Sequence, residues 1–148
     1  MDKGKDILVA ENTIYFYEKP TKLSQASHLF LNVHFYCNFK DEDGKEFHSC
    51  TDYYHTNKLL ILGDQKAAEE IHKVQSGEEA FYLARKLQAP YEKTSKWKEW
   101  EGKKNEMMAK GIKLKFEQNP KLMQDLLLTG SMTLVEDHPE DAYWYILR

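Results

Sequence analysis

Cysteine is scarce in this sequence: Cys37 and Cys50 are the only two in 148 residues. Two thiols cannot supply the bridge network of a small secreted scaffold, so that class is excluded. No run of about 18 apolar residues exists, and no membrane-spanning helix is expected. The opening Met1-Asp2-Lys3-Gly4-Lys5-Asp6 leads only into Ile7-Leu8-Val9-Ala10, too short for a secretory signal. These absences together point to a reducing, cytoplasmic setting. Charge of one sign is also lacking. Lys plus Arg number 21 against 24 Asp plus Glu, a net charge of -3. That argues against a general nucleic-acid coat protein and leaves room for a small nucleotide-like ligand. The seven glycines are isolated, so no phosphate-cradling loop is visible, and GxSxG, HExxH and CxxC are all missing. Six histidines lack ligand spacing, although His48, Cys50 and His55 are close in sequence. Neither a metal site nor a cofactor is expected.

Aromatics and periodic patterns are what the chain does have. Thr13 to Tyr17 is β-branched and aromatic and reads as a strand ended by Pro20. From Leu29 to Phe39 apolar residues occupy the odd positions, which predicts a half-buried strand. Asp41 to Gly44 supplies a turn, and Lys45 to Ser49 is expected to return antiparallel, with Lys40 opposite Lys45, Cys37 opposite His48 and Cys50 opposite Phe35. The period then changes to that of helices. Asp64 caps one with Ala67, Ala68, Ile71 and Val74 on its apolar face. Ser76 and Glu79 form a capping box for the next, whose stripe is Ala80, Leu83, Ala84 and Leu87. A long helix is predicted over Trp97 to Phe116, although Gly111 weakens it by roughly 1 kcal/mol. Asn119-Pro120 caps another helix that Gly130 closes. Ser131 to Glu136 reads as a final strand. The fold class is α+β, a helix-dominated single domain with a small antiparallel sheet or hairpin, organised as an N-terminal segment 1–12 and a domain 13–148. The Lys-rich stretch from Lys93 to Lys110 interleaves both signs and reads as a solvated helix face, or alternatively as a phosphate-facing rim.

One run is more specific. Residues 115–130 read Lys-Phe-x-Gln-Asn-x-x-Leu-x-x-x-Leu-Leu-x-Thr-Gly, followed by Leu134-Val135-Glu136, Asp141 and Trp144. This resembles, without a gap, the C-terminal signature of the NADAR superfamily, the YbiA-like proteins. Upstream, Trp100 and Met108 keep the family's spacing to Lys115, and Leu83-Ala84-Arg85 looks like its Leu-Gly-Arg. Lys58 with Gly63-Asp64 is similar to its Lys-x-x-x-x-Gly-Asp. Ile14 to Tyr17 with Leu23-Ser24 is similar to its opening. The resemblance covers about residues 13–145.

The resemblance implies a YbiA-like fold and N-glycosidase chemistry on a ribosyl–base bond. The substrate class is an ADP-ribose-like or ribosylaminopyrimidine molecule. The implied partner is a nucleotide-like small molecule or an ADP-ribosylated nucleic-acid base, with no membrane partner. Breaking such a bond builds positive charge at C1′ and negative charge on the base, so a carboxylate and a proton donor are needed. A lysine amine can instead trap the opened ribose. Carried over, Lys58 is the catalytic amine and Glu136 and Asp141 the carboxylates. Trp100 and Trp144 are stacking walls, Arg85 a phosphate partner, and Ser24 and Asp52 ligand contacts. Read without the family, Lys58 alternatively snorkels to water, the tryptophans pack the core and Arg85 forms a surface ion pair. Phe116, Leu122, Leu126 and Leu127 are expected in the core in either case. The chain also departs from the family pattern. Thr51 stands where a Glu is usual, Asp52 where His or Gln is usual, Gln25-Ala26 replace Asn-Phe, Tyr145 replaces Gly, and relatives usually run on past Arg148. These departures imply an alternative: a catalytically degenerate module that binds a nucleotide or a partner protein without turnover.

Overall fold

The computed structural model describes residues 12–137 and the backbone of 146–147. In chain order the elements are β1 (Thr13–Phe16), a 3-10 turn (Ala26–Leu31), β2 (Phe39–Lys40), β3 (Glu46–Phe47), α1 (Cys50–Ile61), α2 (Gln65–Lys73) and α3 (Gly77–Gln88). A second 3-10 turn (Ala89–Tyr91), α4 (Ser95–Gln118), α5 (Pro120–Leu127), β4 (Thr133–Glu136) and β5 (Ile146–Leu147) complete the set. The fold is helix-dominated α+β, as expected. The chain falls into two compact units, residues 1–32 with 121–148 and residues 33–120.

The first unit joins the two ends of the chain. β1 pairs in parallel with β4, Thr13 with Thr133 through Phe16 with Glu136. β5 then pairs antiparallel with β4, so β4 is the central strand. The strand expected over Ser131 to Glu136 therefore forms, over Thr133–Glu136, but in a mixed sheet rather than a purely antiparallel one, and another strand follows it. Phe16 and Val135 are buried on this sheet. Leu122 and Leu126 are only half-buried and Leu127 is 72% exposed, next to Leu128 at 79%. The expectation that these leucines are core fails: Leu127 is the last residue of α5 and faces outward, and Leu122 and Leu126 are covered only in part.

The predicted strand from Leu29 to Phe39 does not form. Residues 26–31 wind into the 3-10 turn beside β1, and Phe30, Leu31 and Asn32 are buried in succession. Three consecutive buried residues are incompatible with one solvated strand face, where neighbours alternate. Odd-even alternation survives only from Tyr36 to Lys40, and pairing only at β2. The hairpin is one residue out of the expected register: Lys40 faces Glu46 and Phe39 faces Phe47. Cys37 N–H still donates to His48 O at 3.0 Å. Cys50 is not opposite Phe35 in a ladder; it opens α1. Both cysteines are free and buried.

α1 is the hub of the second unit, packed by α2, α3 and α4. Ser49 caps it, its hydroxyl accepting from Asp52 N–H at 2.9 Å. Gly63 ends it at φ +87°, with Gly63 N–H on Leu60 O and Asp64 N–H on Leu59 O. That pair is the Schellman pattern, which needs a left-handed residue and hence glycine. Asp64 caps α2 and Ser76 caps α3, as read from the sequence. Ala80 and Ala84 are fully buried on α3, letting it approach α1 closely. Gly111 does the same for α4: a Cβ there would lie 2.8 Å from Tyr53 Cδ1. The glycine that weakened the helix prediction is what admits the Tyr53 ring. α5 opens at Pro120 directly after Asn119, as expected, and the Asn119 amide donates to Lys115 O at 2.7 Å and Asn38 O at 3.0 Å.

Candidate active site

A helix buried on most sides is normally apolar all round. α1 is not: Thr51, Asp52, His55, Thr56 and Lys58 are buried along it. Each of these groups must find a partner or shift its ionisation, because burial of an unpaired polar group costs several kcal/mol, about 2–7 by transfer measurements.

Lys58 is 4% exposed. Its ammonium nitrogen hydrogen-bonds the Gln88 side-chain oxygen from the end of α3. It also lies 5.6 Å from the Tyr54 ring centroid and 5.9 Å from that of Trp100. Burial pulls its pKa down to about 7, aided by Lys104 and opposed by Glu92 and Glu101. A cation over two aromatic faces is held in place by their quadrupoles, yet among the described residues no carboxylate hydrogen-bonds it. The snorkelling alternative therefore does not describe this lysine.

The aromatic wall continues from there. Tyr54 meets Trp100 and His55 edge-on, both at 4.9 Å, and His55 meets Phe81 at 5.8 Å. Arg85, an exposed residue of α3, places its guanidinium 5.7 Å over Phe81. His34 also adjoins Phe81, and its Nδ1 is 2.6 Å from Thr51 Oγ1. His55 Nδ1 is buried with no hydrogen-bond partner among the described residues, and burial next to Lys58 holds its pKa well below the usual histidine value. His55 thus stays neutral. Lys58, Trp100 and Arg85 lie along this one wall. Sequence reading missed Tyr54, His55, Phe81 and Gln88; Tyr54 and His55 precede Lys58 by four and three positions, the spacing that puts them on its helix face.

Asp52 has a different setting. Its carboxylate, 0% exposed, faces His48, His72 and Thr56. In the first unit, Ser24 is buried in a tight turn. Its hydroxyl lies 2.9 Å from Thr21 Oγ1 and donates to Lys19 O at 3.2 Å, while Thr21 Oγ1 donates to Asp137 at 2.8 Å. Glu136 is buried at the end of β4. Asp141 and Trp144 lie outside the described residues.

Comparison with known proteins adds the family. The model of the NADAR domain matches residues 15–147. The N-glycosidase R617 of Acanthamoeba polyphaga mimivirus is 32% identical over 88% of this chain and 76% of its own length. The N-glycosidase YbiA of Escherichia coli K12 is 36% identical over 69% of this chain, which spans 59% of YbiA. The NMR structure of Escherichia coli YbiA superposes with a TM-score of 0.69 at 29% identity, covering 90% of this chain and 72% of that one. Among the described residues no helix is long and apolar enough to cross a membrane. With nearly its whole length matched by the domain model and its fold shared with YbiA, the chain belongs to the NADAR family.

Proposed function

We propose that this protein is an N-glycosidase that cleaves the ribosyl–base bond of an ADP-ribose-like or ribosylaminopyrimidine substrate, with Lys58 as the attacking amine. The observation that carries this reading is a buried lysine whose pKa falls to about 7 inside an aromatic wall. Near neutral pH a large share of that amine is unprotonated and nucleophilic. It attacks C1′ as the C–N bond to the base breaks, the bonding pair leaving with the base nitrogen, which gains a proton. The amine gives up its proton, the ribose ring opens to an imine on Lys58, and water hydrolyses the imine to free sugar and lysine. Gln88 orients the amine without charging it. Trp100 and Tyr54 supply an apolar wall, and Arg85, exposed at the end of that wall, suits a phosphate. The carboxylate roles of Glu136 and Asp141, and the stacking role of Trp144, rest on the family signature.

The test is incubation with DNA carrying ADP-ribosylated guanine and, separately, with the aminouracil ribotide, with borohydride added to trap the imine. Released base and a sugar adduct on Lys58 are expected, both absent in Lys58→Ala. Folded wild-type protein that releases neither base overturns the proposal. A binding-only reading is favoured by one observation: Thr51 offers His34 a hydroxyl, not a carboxylate. Calorimetric binding of ADP-ribose without turnover, with activity gained in Thr51→Glu, selects that reading.

A further inference from the structure

We propose that His48, Asp52 and His72 form a binding site for a divalent transition-metal ion of the zinc class. One donor atom from each residue lies within 4.8 Å of the others. His48 Nδ1 is 2.8 Å from Asp52 Oδ2. His72 Nδ1 is 3.0 and 3.1 Å from the two carboxylate oxygens. Ligands around tetrahedral zinc sit at about 2.0–2.2 Å from the ion and hence roughly 3.3 Å from each other. A few tenths of an ångström of expansion would seat an ion.

The tautomer of His48 sharpens this. Its Nε2 is 2.6 Å from Val74 O. A carbonyl can only accept, so Nε2 carries the proton. In neutral imidazole Nδ1 then holds a lone pair, and that lone pair faces a carboxylate oxygen. Two acceptors at 2.8 Å repel unless a cation lies between them or the ring gains a second proton. A histidine whose remote nitrogen donates to a backbone carbonyl, and whose near nitrogen is turned inward, has the arrangement typical of a metal ligand.

Asp52 is anchored in the same manner. Thr56 Oγ1 donates to its Oδ1 at 3.0 Å and His48 N–H to its Oδ2 at 3.2 Å. The cluster is walled by Phe47, edge-on to His72 at 5.3 Å, and Tyr36, 5.9 Å from His48. The His72 side chain remains 31% exposed, which leaves an entry path and a fourth position for water. Two imidazoles and one carboxylate suit zinc, cobalt or nickel far better than magnesium or calcium, which prefer all-oxygen sites. The three ligands come from the residue just after β3, the first turn of α1 and the last turn of α2, so an ion would tie these elements together.

The experiment is titration of the tag-free full chain with Co²⁺ and then Zn²⁺. One ion per chain, visible bands of tetrahedral Co²⁺ that Zn²⁺ displaces, and a raised melting temperature are expected. His72→Ala, chosen because the side chain is partly exposed and checked for folding by circular dichroism, should weaken binding by more than the roughly 10–100-fold typical of losing an outer-shell partner. His28→Ala should bind as wild type does. Nitrogen NMR of the His48 ring gives a second readout: Nδ1 should be unprotonated and shift on adding Zn²⁺. A doubly protonated His48 unmoved by Zn²⁺ means an imidazolium–carboxylate cluster only and overturns the proposal, as does Co²⁺ binding unchanged in His72→Ala.

Discussion

At the scale of single residues, Lys58 is the most consequential group because its ionisation is set by the fold. In the unfolded chain it titrates at about 10.4; in the folded protein burial brings it to about 7. Between these values the unfolded chain binds more protons, so stability rises with pH across that window. Below about pH 7 the buried ammonium exerts its full destabilisation. Urea unfolding at several pH values should show this climb, and Lys58→Met should lessen it between pH 7 and 10. Under the proposed function, kcat/KM should rise through an apparent pKa near 7 on its acid limb. Lys58 could be picked out from the sequence by motif spacing. Its depressed pKa could not, because Trp100 and Gln88, which close around its amine, come from other helices far along the chain. Asp52 teaches the opposite lesson. Its chain neighbours do not reveal that His72, 20 residues on, would reach its carboxylate.

At the scale of elements, caps and turns were the legible part. Asp64 and Ser76 start helices where local chemistry says they should, since each cap is a contact between residues three apart. Alternation at 29–39 misled because burial there is dictated by a turn packing beside β1, not by a strand face. α1 escaped a clear reading because its buried side chains are largely polar. Its ends should be correspondingly important. Ser49→Ala should destabilise by about 1 kcal/mol in chemical denaturation. Gly63→Ala should cost about 1–2 kcal/mol, since its φ of +87° is unfavourable for any residue with a Cβ. Gly111→Ala should lower stability by about 1–3 kcal/mol through the clash with Tyr53, despite alanine's better helix propensity. A stabilised Gly111→Ala would show that α4 can retreat from α1 freely.

At the scale of the whole molecule, the parallel pairing of β1 with β4 joins residues 120 positions apart. No hairpin signal announces such a contact, which is why the sequence suggests an antiparallel sheet alone. Val135→Pro, in the central strand, should cost about 3 kcal/mol or more and strip amide-exchange protection from β1 and β4. The two buried thiols then acquire a use of their own. Cys50 sits at a helix N-terminus, where a thiol is ordinarily made acidic, yet burial outweighs this and the opposing pull of Lys115, raising its pKa to about 12. Burial also raises the pKa of Cys37. A thiol-specific dye therefore finds no thiolate to attack while the fold is closed. Its rate of reaction becomes a clock for opening of the hub helix and its neighbouring hairpin, readable with the natural sequence and no added probe.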